Sequence, residues 1–154
     1  MIAVLQRVEN ASVVSDGIPT GEIGGGLLVL LGVLSGDGEE DARLLADKIA
    51  KLRIFTDEAD KMNLSVCDVS GGALVVSNFT LAANYAKGNR PDYLNAAPPA
   101  VAEPLYETFV ALLRERIGEV ATGRFGADMK ITMTADGPVT IVMDSHLLVK
   151  GGRK

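Results

Sequence analysis

Ala73-Leu74-Val75-Val76-Ser77-Asn78-Phe79-Thr80-Leu81 is the stretch from which the fold can be read. Its first four residues are apolar, two of them β-branched, and Gly71-Gly72 precedes them, so a buried strand fed by a turn is expected. The apolar run stops at Ser77, and the hydroxyls of Ser77 and Thr80 appear there. Downstream, Ala82 to Asn95 is polar and contains Lys87, Gly88, Asn89, Arg90 and Pro91, the make-up of a long loop. A strand end that opens into such a loop offers fixed geometry on one side and ligand access on the other.

Working upstream, Leu27 to Leu34 is a second strand, led in by Gly24-Gly25-Gly26. That glycine run lacks the Lys and Ser/Thr of a phosphate loop and is followed by a strand instead of a helix. Met1 to Val8 alternates, and a further strand over Ala11 to Val14 ends at the turn signal Asp16-Gly17, with Thr20 to Ile23 continuing a meander. Arg7 shares a face with Ala3 and Leu5. Either its stem lies on apolar surface at an exposed strand end, the reading the pattern favours, or its guanidinium fork holds a carbonyl-rich turn.

Helical spacing begins after Gly38, with Ala42, Leu45, Ala46, Ile49 and Leu52 on one side, acids in the first turn and Lys48, Lys51 and Arg53 near the end. Asp57-Glu58-Ala59-Asp60 lacks the alternation, central glycine and final glutamate of a calcium loop and reads as a solvated turn. Met62 to Val66 is a short strand, and Cys67 a small core residue. A second helix follows Pro98-Pro99 with Leu105, Phe109, Leu112, Leu113 and Ile117 on one face; Pro104 means that it starts near Glu103 or is kinked there. Lys130 to Thr134 and Val139 to Met143 flank Ala135-Asp136-Gly137-Pro138, the pattern of a hairpin whose tip can aim backbone carbonyls outward. The sum is an α/β chain: a mixed, mostly antiparallel sheet or open β-barrel with two helices packed on one side, in a single domain over residues 1–154.

The composition excludes several functions. The 154 residues are 47% hydrophobic and carry a net charge of −5, which does not suit a protein that wraps DNA over a broad basic face. Residues 1–85 hold 6 Lys+Arg against 12 Asp+Glu, whereas residues 86–154 hold 9 against 8, so Lys87, Arg90 and the tail Lys150, Arg153 and Lys154 could touch phosphate locally, although solvated surface charge is the simpler reading. No segment approaches the roughly 20 apolar residues of a membrane helix, and the start has no signal-peptide pattern, so a cytoplasmic protein with no membrane partner is expected. One cysteine and one histidine, His146, form neither a disulfide nor a typical zinc site, and no metal or cofactor is expected. A Ser-His-Asp arrangement drawn from Ser77 or Ser145 with the distant His146 is disfavoured, and Thr80 has no evident base. Backbone N–H groups around Phe79 and Thr80 could instead form an oxyanion pocket without any titrating side chain.

Several ordered segments together carry a resemblance: Gln6-Arg7-Val8, Lys61 to Val66, Ser77 to Leu81, Gly88-Asn89-Arg90-Pro91, Ala96-Ala97-Pro98, Gly123 to Met129 and Asp136 to Thr140. Over essentially its whole length the chain resembles the D-aminoacyl-tRNA deacylase family. The resemblance implies a homodimer whose partner is aminoacyl-tRNA, and hydrolysis of the ester between a D-amino acid, or glycine, and the 3′-terminal adenosine. It implies that Gly137 and Pro138, joined by a cis bond, enter the partner subunit's site and present carbonyls that exclude an L side chain, with Arg7 bracing the turn. The strand-end motif would hold the ester through the backbone N–H groups of Phe79 and Thr80, with Ser77, Phe79 and Thr80 as the catalytic residues and Asn78 binding substrate, and Ala127, Asp128 and Met129 would lie near the adenosine. The family is understood to draw on the substrate's ribose 2′-hydroxyl, which favours direct attack by water over an acyl-Thr80 intermediate.

The chain departs from the family pattern at Asn78, commonly Gln, at Ala135, commonly Asn, and at Asp60, commonly Gly. Because the implied oxyanion donors and selecting carbonyls are backbone groups, these departures bear on rate and specificity more than on reaction class. Two other readings stand beside the deacylase: a scaffold without turnover that binds an RNA end or a protein, and a small-molecule esterase using Thr80.

Overall fold

The computed structural model describes residues 1–148; the tail cations Lys150, Arg153 and Lys154 lie outside them. Strand β1 (Ile2–Ser15) is the axis. Then follow β2 (Ile18–Ile23), β3 (Gly26–Gly32), helix α1 (Glu39–Lys51), the short β4 (Phe55–Thr56) and β5 (Met62–Leu64), and β6 (Gly72–Ser77). A 3-10 turn (Phe79–Ala82), helix α2 (Pro99–Ile117), β7 (Val120–Thr122), β8 (Met129–Asp144) and a last 3-10 turn (Ser145–Leu147) complete the described chain.

β8 runs antiparallel along one edge of β1 for almost its full length. The other edge is shared: β3 takes Ile2 to Val8 and β2 takes Ala11 to Ser15, both antiparallel. Beyond β3 the sheet continues in parallel, β3 to β6 and β6 to β7. β7 curls back toward β2, close enough that a Cβ at Gly21 would stand 2.7 Å from the Thr122 carbonyl oxygen, so only a residue without a side chain fits there. The result is a nearly closed, mostly antiparallel sheet.

Curling gives the sheet two apolar faces. Inside the curl, Val8, Ala11, Val13, Ile23, Leu28, Leu74 and Val76 pack on one another. Outside it, Ala3, Leu5, Leu27, Val29, Leu31, Ala73 and Val75 meet both helices, through Ala42, Leu45, Ala46 and Ile49 of α1 and Ala102, Tyr106, Phe109, Val110 and Leu113 of α2. Phe109 and Leu113 are fully buried, each contributing about 1.5–3 kcal/mol of transfer free energy. The two helices touch each other on this one side of the sheet. α1 forms as its spacing predicts, and the Asp41 carboxylate accepts from the Gly38 N–H at 2.9 Å at its start.

Several boundaries differ from the sequence reading. Met1–Val8 and Ala11–Val14 are one strand, because β8 pairs across the polar residues Glu9 and Asn10 that suggested a break. β2 begins at Ile18, β3 ends at Gly32 and β5 ends at Leu64. β4 and β7, too short for any periodicity, were not expected. Cys67 is exposed, its thiol donating to the Ala50 carbonyl at 3.3 Å. α2 starts at Pro99 and runs through Pro104; the carbonyl that loses its partner belongs to Ala100, an exposed residue in the first turn, where water can replace it.

The largest difference is at Ala135–Pro138, which is no hairpin tip. Both flanking segments pair with β1 in one direction, so β8 is a single strand with an excursion in it. Between the pairs Gln6–Thr140 and Val8–Ala135, four residues of β8, Asp136 to Val139, stand opposite the single residue Arg7. Val139 turns into the core and Gly137 and Pro138 project into solvent. Turn-forming residues look alike in a hairpin and in a wide bulge; only the pairing partner separates them.

Candidate active site

β6 ends where β3 ends: the Asn78 N–H donates to the Leu31 carbonyl at 2.8 Å and the chain then winds into the Phe79–Ala82 turn. Asn78 caps that turn. Its Oδ1 accepts from the Thr80 N–H at 3.2 Å and from the Thr80 hydroxyl. The two proposed oxyanion donors are therefore unlike. The Thr80 N–H is engaged, while the Phe79 N–H, first in the turn, has no acceptor among the described residues. The Ser77 hydroxyl, half-buried, likewise has no hydrogen-bond partner there.

Beside this turn lies a cavity of about 550 Å³. Ser77, Asn78 and Phe79 form one wall with Leu31 and Val33 beneath, α2 supplies Ala102 and Tyr106, and Phe125, Gly126, Ala127 and Met129 close the far side. Tyr93, from the end of the loop, meets the exposed Phe79 ring edge-on, centroids 5.1 Å apart. Tyr106 and Phe125 form a second aromatic pair at 5.8 Å. The Tyr106 hydroxyl donates to the Val75 carbonyl at 2.9 Å, and burial pushes its ionisation up to about 12. No lining residue carries a carboxylate, imidazole, amine, guanidinium or thiol.

Of the residues named from sequence, Ser77, Asn78, Phe79, Ala127 and Met129 are thus brought together. Thr80 is exposed on the turn, outside the lining. Asp128 is exposed too, its N–H donating to Asp16 and its carboxylate 3.3 Å from Lys130. Gly137 and Pro138, joined by a cis peptide bond, sit on the β8 excursion and do not line the cavity of their own chain. A Cβ at Gly137 would lie 2.1 Å from the Val139 nitrogen, so the excursion has room only for glycine.

Arg7 lies under the excursion, buried, in the gap where β1 has no partner on β8. Its Nε donates to the Asp136 carbonyl at 3.0 Å and stands 3.1 Å from the Asp136 carboxylate, while its Nη1 donates to the buried Ile54 carbonyl at 2.8 Å. The exposed-strand-end reading of Arg7 does not hold.

Sequence reasoning missed Leu31, Val33, Tyr93, Tyr106 and Phe125 as cavity walls. Tyr106 was readable from its place one turn from Ala102 and Phe109 on the buried face of α2; Tyr93, in a polar loop, gave no signal.

One cluster could attract a cation. Asp37, Asp41 and His146 bring a ligand atom each within 4.8 Å of one another. The Met1 ammonium already stands there, 2.7 Å from Asp37 and donating to Ser145 at 2.8 Å. Asp41 is held below the usual carboxylate range: partial burial works the other way, but the Gly38 N–H, the Ser145 hydroxyl, the ammonium and His146 together outweigh it. Neither Ser145 nor His146 lines the cavity, so neither joins Ser77 in a triad.

A strand-end cavity with aromatic walls, an open backbone donor at Phe79 and no carboxylate, imidazole, amine, guanidinium or thiol in its lining has room for a flat apolar group. Comparison with known proteins places the chain further. The D-Tyr-tRNA(Tyr) deacylase family model matches residues 4–144, and the chain belongs to that family. It is similar to D-aminoacyl-tRNA deacylases of Anaeromyxobacter dehalogenans, 57% identical over 96% of this chain and 99% of that one, and of Ruegeria pomeroyi, 58% identical over 94% and 99%. Among solved structures it resembles the c-Myc DNA Unwinding Element Binding Protein, with a TM-score of 0.88 and 41% identity over 94% of this chain and 98% of that one. A probable eukaryotic D-amino acid tRNA deacylase shares the fold, with a TM-score of 0.81 at 17% identity over 92% of this chain and 97% of that one.

Proposed function

We propose that this enzyme hydrolyses the ester of D-aminoacyl-tRNA, and of glycyl-tRNA, at the 3′-terminal adenosine and leaves L-aminoacyl-tRNA intact. The observation that carries the reading is the cavity itself: family membership supplies the substrate class, and a lining without acid or base restricts how the ester can be cleaved. The adenine enters between the aromatic and small residues of the far wall, near Ala127 and Met129. The ester carbonyl then lies at the Phe79 N–H. Water adds to the carbonyl carbon, the oxyanion is held by that N–H, and collapse breaks the bond to the ribose 3′-oxygen, which takes up a proton as the free amino acid departs. The substrate's own 2′-hydroxyl orients the water. Thr80 is no nucleophile in this scheme: its hydroxyl donates to a carboxamide, which cannot act as a base.

Selection against L substrates comes from a second protomer. The enzyme works as a homodimer in which Gly137 and Pro138 of one chain enter the cavity of its partner, their carbonyls occupying the space an L side chain would need. Their exposure on a braced excursion, outside the cavity of their own chain, supports this arrangement. Glycine has no side chain to exclude, which is why glycyl-tRNA is cleaved as well.

Matched D- and L-aminoacyl-tRNA, followed for ester loss, tests the activity; equal hydrolysis of both, or of neither, overturns it. Mixing Phe79→Pro, which removes the oxyanion-binding N–H at the first position of a helical turn where proline is tolerated, with Gly137→Ala protomers tests the shared site. Each variant alone is inactive, and random reassortment returns about a quarter of wild-type activity, since half the dimers are mixed and each holds one intact site. A mixture as inactive as its parts refutes the cross-subunit role.

A further inference from the structure

The loop between the Phe79–Ala82 turn and Tyr93 does nothing in the scheme above, yet it leaves and rejoins the fold at the cavity rim. Its base is a built clasp. Asn84 and Asp92 exchange both backbone hydrogen bonds at 2.9 Å, the Asn84 side-chain amide donates to the Asp92 carboxylate at 3.1 Å, and the same two side chains accept from the Ala86 and Leu94 N–H groups. Above the clasp, Tyr85 to Pro91 are all exposed, and Gly88 turns the tip with a φ of +67°. Tyr85 is 79% exposed, an aromatic ring with no packing role. Lys87 and Arg90 make no ion pair among the described residues, as Lys48, Lys51, Arg53, Lys61 and Arg114 on other elements do not, so their charge is free beside the cavity rim. Within a chain of net charge −5, these seven residues hold two cations and no acid.

We propose that the Tyr85–Pro91 loop is a second binding site, a clamp for the single-stranded RNA that leads into the cavity, with Lys87 and Arg90 on its phosphates and Tyr85 stacked on a base. The proposal rests on the reading that the cavity receives a tRNA 3′ end. Three residues of arm on each side of Gly88 carry the tip roughly 10 Å from the clasp, a reach that fits the nucleotides next to the terminal one. A flexible unpaired strand presents what such a loop can hold, namely a charged backbone and splayed bases whose faces stack on an aromatic ring. An acidic protein that needs only the end of its substrate would concentrate its phosphate contacts in this way.

Two esters separate the clamp from the catalytic site: D-aminoacyl-tRNA, and D-aminoacyl-adenosine, which has no phosphate or neighbouring base. K87A/R90A lowers kcat/KM for the tRNA ester alone. With two phosphate contacts removed, the log–log salt slope becomes shallower by about 1.4, so between 50 and 200 mM salt the wild type loses about sevenfold more than the variant. K87R/R90K keeps the wild-type slope. Y85A costs the tRNA ester about tenfold, and Y85F restores it. Equal effects on both esters, or no effect on the tRNA ester, overturn the clamp while leaving the deacylase standing. If the wild type cleaves neither ester, the deacylase reading fails, and fluorescence anisotropy with a short single-stranded RNA still judges the loop: it binds more weakly to K87A/R90A, or the clamp is wrong. A change in sedimentation of these variants would assign the loop to contact between copies of the chain and would also overturn it.

Discussion

At the scale of single residues, Asn78 and Thr80 decide how the turn beside the cavity behaves. Asn78 holds Thr80 by both its N–H and its hydroxyl. Thr80→Ala therefore leaves turnover within about tenfold of wild type, whereas Asn78→Ala removes a cap worth about 1 kcal/mol and lowers kcat more than it raises KM. Single-turnover kinetics on D-aminoacyl-tRNA measures both, and trapping of an acyl-Thr80 species would contradict the first. Arg7 gives a stability prediction. Arg7→Ala strands the buried Ile54 carbonyl and releases Asp136, which costs about 2–4 kcal/mol in urea unfolding; Arg7→Lys, a point charge without the fork, recovers only part of that. Neither bond was legible in sequence. An arginine on the same strand face as Ala3 and Leu5 shows that something compensates it, but its acceptors lie 47 and 129 residues away.

At the scale of elements, legibility followed the number of covered faces. β3 and β6 read as unbroken apolar runs because each is buried on both sides, Leu27, Val29 and Leu31 toward the helices and Leu28 into the curl. α1 and the buried stripe of α2 were equally plain. β8 was not, since it is exposed along most of its length and its only apolar signal flanks a turn sequence. Within α2, Tyr106 links helix to sheet through the Val75 carbonyl. Its ionisation is raised from 10.0 to about 12 in the folded state, so the stability it adds is fully present below pH 10 and is lost as the pH rises through about 12. Tyr106→Phe consequently flattens the alkaline end of the stability profile, measured as urea midpoint against pH. Its folded state also shows the same tyrosinate absorbance as wild type at pH values well below that ionisation.

At the scale of the whole molecule, fold class was open to sequence reasoning because one patterned half implies the other: two one-sided helices need a sheet, and strands buried on both faces need two cores. The candidate site was legible in its strand-end wall and, through the family resemblance, at Ala127 and Met129. The aromatic walls come from the loop before α2, from α2 itself and from the segment before β8, and nothing in the local sequence says that Tyr93, Tyr106 and Phe125 converge. The excursion at Asp136 to Val139 has a consequence at this scale that has nothing to do with substrate. Among the described residues β8 pairs with β1 alone, so its far side is an uncovered row of main-chain donors and acceptors, with Ile131, Met133 and Val142 exposed along it. A straight sixteen-residue edge of that kind would be a template for runaway strand addition and fibril growth. The excursion cuts it into two short, misaligned pieces. Deleting residues 136–138 leaves Val139 alone opposite Arg7 and closes the wider of the two breaks in the ladder, leaving only the one-residue bulge at Glu9. The resulting chain should scatter light and bind thioflavin T at concentrations where the wild type stays clear.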